Sequence, residues 1–215
     1  HLPDRFAAQR KIKDADLPSA GDKLTMFKNT LEQMLAAGYQ FIGMDHFARK
    51  DNELAIAQNA GQLHRNFQGY TTHGQCDLLG LGVSSISQIG NAILQNEKEL
   101  KHYYKALQEG YGSAICKGVA LTDDDTLRAA AIKQLICQFE LDIPAIEKQF
   151  NINFASYFCE ALQALDPLLA DGLVSVSQDK ITVTARGNLF IRIICMCFDA
   201  HLQQQIKQTR FSRVI

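Results

Sequence analysis

The hydrophobic positions of the chain follow a helical period in some segments and a strand period in others. Apolar residues recur at three- and four-residue intervals from Leu24 to Leu35, after a capping pattern at Ser19 and Asp22, and this predicts an N-terminal helix. The short apolar run 39–43 follows Gly38 and predicts a strand. A helix that leads into a strand through one glycine is typical of the second half of an α/β unit.

The middle of the chain, residues 63–96, combines short apolar runs with five glycines and has no cluster of charges. The runs around 65–72, 78–84 and 89–94 predict strands. Glycines at this density allow sharp turns between strands, and they also allow the backbone to approach a ligand closely. The pattern leaves both interpretations open.

From Thr122 onward the pattern predicts a separate, α-rich unit. Thr122 and Asp125 form a second capping box, and Leu127, Ala131 and Leu135 line one face of the helix that follows. Further helices are predicted over 143–150, 154–165 and 185–203, with a β-hairpin over 173–184. Three helices, a hairpin and a final packing helix resemble a winged-helix arrangement. We therefore expect two domains, residues 1–121 and residues 122–215.

Composition and charge narrow the class of protein. Lys and Arg number 22 against 23 Asp and Glu, for a net charge of −1, which argues against general nucleic-acid binding through bulk electrostatics. Every apolar run is far shorter than the ~20 residues that a membrane span needs. No secretory signal opens the chain, which begins at His1 rather than at Met. We therefore expect a cytoplasmic protein without a membrane partner, and a chain that is a fragment or a processed product.

The cysteines do not suggest a disulfide framework or a metal site. Most of them lie beside apolar residues in predicted elements, which is typical of buried thiols in a reducing compartment. Cys195 and Cys197 lie in the predicted last helix, where positions i and i+2 point about 200° apart and cannot easily share one metal ion. No metal ligands are therefore assigned. The six cysteines are Cys76, Cys116, Cys137, Cys159, Cys195 and Cys197.

Two short segments carry candidate chemistry. The segment 64–70 places polar and aromatic side chains beside the glycine-rich region; there Arg65 could pair with a carboxylate, Phe67 could stack on a flat ring and Gln68 could orient one polar atom. An exposed edge strand with an alternating face explains the same segment without function. Asp45–His46 follows the first predicted strand, where it is either a functional pair or a hydrogen-bonded loop.

Several strings of this sequence resemble the oxygen-independent coproporphyrinogen III oxidases, a family of radical S-adenosylmethionine enzymes. The most specific are GMDHFA and HRNFQGYTT, and the resemblance extends over essentially the whole chain. The segments that carry it are AAQRKIKDADLPS, YQFIGMDHFARKDNELAIAQ, LHRNFQGYTTHG, DLLGLGVSSIS, ICMCFD and FSRVI.

The resemblance implies a fold and an activity. The fold would be the last β/α units of a radical S-adenosylmethionine barrel followed by the α-rich, winged-helix-like domain. The activity would be oxidative decarboxylation of two propionates of coproporphyrinogen III to vinyl groups, giving protoporphyrinogen IX in haem biosynthesis. The family's cofactors are S-adenosylmethionine and a [4Fe-4S] cluster held by a C-x-x-x-C-x-C loop. That motif is absent from this chain, so we expect the chain alone to be inactive.

Site residues carry over from the family by position. Ile86 in GVSSIS would contact S-adenosylmethionine, and Phe67 and Gln68 in HRNFQGY match the family's active-site segment. Arg65 and His64 are candidate partners of a substrate propionate on charge alone. The family further implies coproporphyrinogen III, S-adenosylmethionine and an electron donor as partners of a monomeric enzyme that does not bind nucleic acid.

Two other function classes fit part of the sequence. A winged-helix protein that binds DNA needs a basic, exposed recognition helix, but the predicted helix 153–165 has no Lys or Arg. A protein-interaction module that covers the mouth of a barrel is the other class, and it is compatible with a role in an enzyme.

Overall fold

The N-terminal part begins with short helical turns and one longer helix. The computed structural model describes residues 3–4, 6–109 and 113–205, without the side chains of 203–205. After 3-10 helices at Ala7–Lys11 and Asp14–Asp16, helix α1 spans Ala20–Ala36. The Ser19 hydroxyl accepts a hydrogen bond from the Asp22 amide at 3.1 Å, and the Asp22 carboxylate accepts one from the Ser19 amide. The predicted capping box is therefore confirmed.

A hairpin and a short helix follow α1. Strand β1, Tyr39–Gly43, pairs antiparallel with β2, His46–Arg49, and helix α2 spans Glu53–Asn59. The strand at 39–43 is confirmed. Its expected place in an α/β unit is not, because β1 pairs with the next strand through a tight turn and not with a parallel neighbour.

The glycine-rich region forms two further antiparallel sheets. Strands β3, His64–Asn66, and β4, Gly69–Thr71, make a hairpin. The other sheet has the order β5-β6-β7. Its strands are β5, Ile86–Ile89, β6, Ala92–Asn96, and β7, Ile115–Ala120, and helix α3, Leu100–Glu109, lies between β6 and β7 in the chain.

The remaining elements are mainly helical. They are α4 at Asp123–Gln138, β8 at Glu140–Asp142, α5 at Ile143–Phe150, α6 at Phe154–Tyr157, α7 at Cys159–Ala170, β9 at Val174–Val176, β10 at Lys180–Val183, α8 at Ile191–Met196 and α9 at Ala200–Gln205. The last sheet has the antiparallel order β8-β10-β9. Residues 206–215 of the predicted second domain lie outside the described residues.

Two predicted helices in this part are interrupted. The helix expected over 154–165 divides into α6 and α7 at Phe158, which is 1% exposed and packs against Phe154 and Phe198. The helix expected over 185–203 divides into a 3-10 turn at Gly187–Phe190, α8 and α9. At the first of these breaks, the packing of the Phe158 side chain therefore overrides the local helical pattern. The hairpin predicted over 173–184 is confirmed as β9 and β10.

Two apolar clusters form the core of the described residues. The larger one joins α4, α5, α7, α8 and the last sheet, and it includes Leu135, Phe158 and Ile194. The smaller one lies beneath β1 and α2 and includes Ile42 and Cys137. Because Cys137 belongs to α4, the end of this helix packs against both parts of the chain.

The overall class is a mixture of helices and small antiparallel sheets. A β/α barrel unit needs parallel strand pairs, and every strand pair among residues 3–4, 6–109 and 113–205 is antiparallel. The expected barrel segment is therefore not found within these residues. Within the same ranges, no helix combines the length and the apolar character that crossing a bilayer would require.

Candidate functional site

The β3–β4 hairpin presents two of the predicted site residues at its turn. Phe67 and Gln68 connect the strands, and both side chains are exposed, Phe67 to 53%. The backbone amide of Gln68 donates a hydrogen bond to the Asn66 side-chain oxygen at 2.8 Å, and Gly69 adopts a φ of 136°. The turn is thus closed by local contacts, and its two side chains are free to contact another molecule.

Tyr70 attaches this hairpin to α4. Its hydroxyl group donates a hydrogen bond to the Ile136 carbonyl at 3.1 Å, and burial raises the pKa of Tyr70 above its ordinary value. The phenol therefore stays neutral and remains a donor at physiological pH. The same hydroxyl group lies against the backbone of Gly43, where a Cβ atom could not be accommodated.

Arg65 lies opposite Tyr70 on the hairpin and shares its environment. The two residues are cross-strand partners, and the guanidinium carbon lies 5.6 Å from the centroid of the Tyr70 ring, within the range of a cation–π contact. The Arg65 Nε atom is buried and has no hydrogen-bond partner among the described residues. An unpaired buried donor is costly, which makes this group a candidate for a ligand contact.

His64 packs against Gly74 at the start of the hairpin. Its ring fills the space that a side chain at position 74 would occupy. Burial, and then the nearby charge of Lys133, lower the pKa of His64 below its ordinary value. His64 lies at the edge of a cleft of about 190 Å³, whose lining also includes Arg65, Asn66, His73, Asp77 and Lys133.

Ile86 lies apart from these residues, on β5. It is half-buried and pairs with Gln95 on β6, and the Gly80 backbone packs closely against its carbonyl group. Of the five predicted site residues, the structure places His64 and Arg65 in the cleft, Phe67 and Gln68 on the adjacent turn, and Ile86 outside the cleft. The described residues therefore do not gather all five into one pocket.

The Asp45–His46 pair lies close to the hairpin. The His46 Nδ1 atom lies 2.7 Å from an Asp45 carboxylate oxygen. The His46 and Tyr70 rings are nearly perpendicular, with their centroids 5.2 Å apart. Met44, directly before the pair, has a φ of 57°, which is unusual for a residue other than glycine. The contacts with Asp45 and Tyr70 thus orient the imidazole beside this turn.

Sequence reasoning missed two residues of this region. Tyr70 and Lys133 were not among the predicted site residues, although Tyr70 stands in the quoted segment HRNFQGYTT. Tyr70 could have been found from the alternation of side chains along β4, since it shares a face with its cross-strand partner Arg65. Lys133 could not, because it is one of several polar residues on α4 and reaches the cleft only through tertiary packing.

The cysteines do not converge on a common point. Cys195 and Cys197 direct their thiols to different carbonyl groups, those of Ile132 and Ala164 respectively. Within the described ranges, no group of three or more Cys, His, Asp or Glu side chains is arranged to hold a metal ion. These residues therefore do not fit the ligand set of an iron–sulfur cluster, which needs several converging thiolates.

Comparison with known proteins identifies similar chains. Residues 121–190 match the HemN C-terminal domain. The chain is 60% identical over 215 residues to the oxygen-independent coproporphyrinogen III oxidase of Salmonella typhimurium, covering all of this chain and 47% of the relative. It is 44% identical to the enzyme of the same name from Thermostichus vulcanus, covering 66% of that relative.

A solved structure has the same fold. The coproporphyrinogen III oxidase HemN from Escherichia coli, described as a radical SAM enzyme, superimposes with a TM-score of 0.88 and 59% sequence identity. The match covers 94% of this chain and 46% of that one. The chain thus spans about half the length of the Salmonella and Escherichia proteins that it matches.

Proposed function

This chain belongs to the oxygen-independent coproporphyrinogen III oxidase family, and we propose that it forms the C-terminal half of an enzyme with that activity. The reaction is the oxidative decarboxylation of two propionate side chains of coproporphyrinogen III to vinyl groups, which gives protoporphyrinogen IX in haem biosynthesis. The observation that carries the proposal is the 60% identity to the Salmonella typhimurium enzyme, which extends over all 215 residues of this chain.

The proposed roles of the site residues follow from their positions. Phe67 and Gln68 project from the hairpin turn, where an aromatic face and one amide could position a cofactor or the tetrapyrrole. Ile86 would pack against S-adenosylmethionine through its apolar side chain. Arg65 and His64, beside the cleft, would face a propionate group of the substrate.

The cofactors of the proposed enzyme are S-adenosylmethionine and a [4Fe-4S] cluster. A bound cluster would supply the reducing electron for the cleavage of S-adenosylmethionine. Since the cysteines of the described residues do not converge, we assign no cluster ligand to this chain. The ligands would belong to the part of the family's enzymes that this chain does not span, and the chain by itself would be inactive.

The two parts of the chain would have different roles in this enzyme. Residues 1–121 would contribute the hairpin and its exposed turn, and the second domain, described up to residue 205, would be winged-helix-like and would pack against the hairpin through α4. The contacts at the end of α4 support this view, since the Ile136 and Cys137 carbonyl groups accept hydrogen bonds from Tyr70 and Gln58. We further propose a cytoplasmic, monomeric enzyme that receives its electrons from a separate donor.

DNA binding is the weaker alternative for the α-rich part. The segment 153–165 has no Lys or Arg, and its place in the structure is taken by the short helix α6 and the first half of α7. Recognition of the DNA backbone depends on basic side chains. We therefore propose that this part packs against the rest of the enzyme and does not bind nucleic acid.

A chimeric enzyme tests the proposed function. The corresponding half of the Escherichia coli enzyme is replaced by this chain, the cluster is reconstituted without oxygen, and the release of CO₂ and formation of protoporphyrinogen IX are measured. We expect two molecules of CO₂ for each tetrapyrrole. A chimera that folds and carries its cluster, yet leaves coproporphyrinogen III unchanged, contradicts the proposal.

A further inference from the structure

The cleft beside the β3–β4 hairpin is built from two distant parts of the sequence. His64, Asn66 and His73 come from the hairpin and the loop after it, and Lys133 comes from α4. Two hydrogen bonds hold these parts together: the Tyr70 hydroxyl group donates to the Ile136 carbonyl, and the Gln138 side chain donates to the carbonyl of Leu63, directly before β3. These bonds keep the part of α4 that carries Lys133 beside the hairpin.

The lining of the cleft is polar and carries more positively charged than negatively charged side chains. Its charged side chains are those of Arg65, Lys133 and Asp77. The Asp77 carboxylate already accepts a hydrogen bond from the Gly90 amide at 2.9 Å, which commits one of its oxygens to the turn before β6. The Lys133 ammonium group, by contrast, takes part in no ion pair among the described residues. This part of the cleft thus lacks a neutralising anion.

The size of the cleft limits the ligand. A volume of about 190 Å³ is smaller than the roughly 300–1,000 Å³ of sites that enclose a drug-sized molecule. It is sufficient for a carboxylate group on a short methylene chain, and it excludes a tetrapyrrole ring. A large ligand could therefore place one side chain in the cleft while its ring system lies outside.

We propose that this cleft binds a carboxylate group, with the Lys133 ammonium group as its counter-charge and the polar side chains around His64 as further donors. The neighbouring turn at Phe67 and Gln68 would contact the body of the same ligand. That the carboxylate is a propionate of a tetrapyrrole rests on the proposed function. The existence of the site does not.

A titration of the 215-residue chain tests the site directly. The probes are propionate, its neutral isostere propionamide and inorganic phosphate, followed by ¹H–¹⁵N NMR and by the pH titration of the His64 ring. We expect propionate to shift the amides of Gly74, Asp77 and Gly90 with saturation, and to raise the pKa of His64. Propionamide should do neither, because it lacks the charge.

Matched variants locate the counter-charge. Lys133→Ala should weaken propionate binding by about tenfold or more, since a hydrogen bond between charged groups is lost. Lys148→Ala removes an exposed lysine of α5 that does not line the cleft, and it should leave binding unchanged. Equal effects of the two variants, or shifts caused equally by propionamide, would refute the site.

Two further ligands show which class of molecule the cleft binds. Phosphate that binds as tightly as propionate would refute a carboxylate site in favour of a general anion site. Coproporphyrin III, the stable oxidised tetrapyrrole, should shift the same amides and compete with propionate. If coproporphyrin III does neither, the carboxylate that binds in the cleft does not belong to a tetrapyrrole, while the carboxylate site itself remains supported. Because these readouts need no turnover, they are independent of the chimera that tests the proposed function.

Discussion

The hydroxyl group of Tyr70 occupies the space beside Gly43 that a side chain at position 43 would need. Gly43 also has a φ of 146°, a conformation that residues with a Cβ atom rarely adopt. Two properties of one glycine thus bring β1 and the β3–β4 hairpin together. This contact lets Tyr70 reach the Ile136 carbonyl and sets the hairpin against α4.

The first prediction concerns this contact. Gly43→Ala should lower the free energy of unfolding by about 2–4 kcal/mol, because it adds both backbone strain and a clash with Tyr70. Gly69→Ala is the matched control: Gly69 has a φ of 136°, and a Cβ atom there would meet no neighbour within 4 Å. It should cost only the backbone strain, about 1–2 kcal/mol. Denaturant unfolding measures both, and equal losses would argue against the role of Tyr70.

Local elements could be predicted from the sequence where short-range contacts determine them. The capping box of α4 is one example, since the Thr122 hydroxyl accepts from the Asp125 amide and the Asp125 carboxylate accepts from the Thr122 amide. The partner of β1 could not be predicted, because the apolar period of a strand does not specify whether its neighbour is parallel.

The site illustrates the same limit. The segment containing Phe67 and Gln68 was identified from its residues, and its turn is closed by the local bond to Asn66. The contact between Tyr70 and Ile136 spans 66 residues of sequence, and the position of Lys133 depends on the same packing of α4. No local pattern encodes such contacts, so the cleft became visible only in the structure.

The second prediction separates binding from folding at the hairpin turn. Phe67→Ala and Gln68→Ala should change the stability of this chain by about 0.5 kcal/mol or less, because both side chains are exposed. In the chimeric enzyme, each should reduce turnover roughly 10- to 100-fold through loss of a positioning contact. Leu135→Ala, at a fully buried position, is the control for a core residue and should cost about 2–5 kcal/mol. Turnover that falls only in step with stability would contradict the assigned roles.

The third prediction concerns the attachment of α9 to α4. The His201 Nε2 atom lies 2.7 Å from an Asp125 carboxylate oxygen. The hydrogen bond to Asp125 raises the pKa of His201 above its ordinary value of 6.5. Because the folded-state pKa is raised, this bond stabilises the protein fully below about pH 6.5, and the contribution is lost as the pH rises through the folded-state value.

Asp125 has the opposite dependence. Its bonds to Thr122, and then to His201, lower its pKa from 3.8 to about 2, so their contribution is present above pH 3.8 and is lost as the pH falls towards 2.

Thermal melts between pH 5 and pH 8.5 test the contribution of His201. They should show a decline in Tm at the alkaline end, because His201 loses its proton there. In His201→Gln the decline should be smaller, since glutamine does not titrate. An unchanged pH profile in this variant would mean that the pair does not contribute.

The fourth prediction concerns the thiols and the cluster. Burial raises the pKa of both Cys137 and Cys195 to about 12, and a protonated thiol is a poor nucleophile and a poor metal ligand. The expectation of buried thiols is wrong for Cys76, Cys116 and Cys159, which are exposed. A thiol reagent should therefore label these three in the folded chain and the buried pair only after unfolding. Mass spectrometry of peptides identifies the labelled sites.

The same thiol arrangement determines what anaerobic reconstitution with iron and sulfide should give. A stable [4Fe-4S] cluster needs converging thiolates, and the described cysteines of this chain do not converge. We expect iron and sulfide contents well below four per chain after desalting, and no absorption band of a cluster. The chimeric enzyme, treated in parallel, is the positive control. Stoichiometric iron and sulfide in the 215-residue chain would show that its cysteines rearrange to bind a cluster, and it would overturn the assignment of the ligands to the other half of the enzyme.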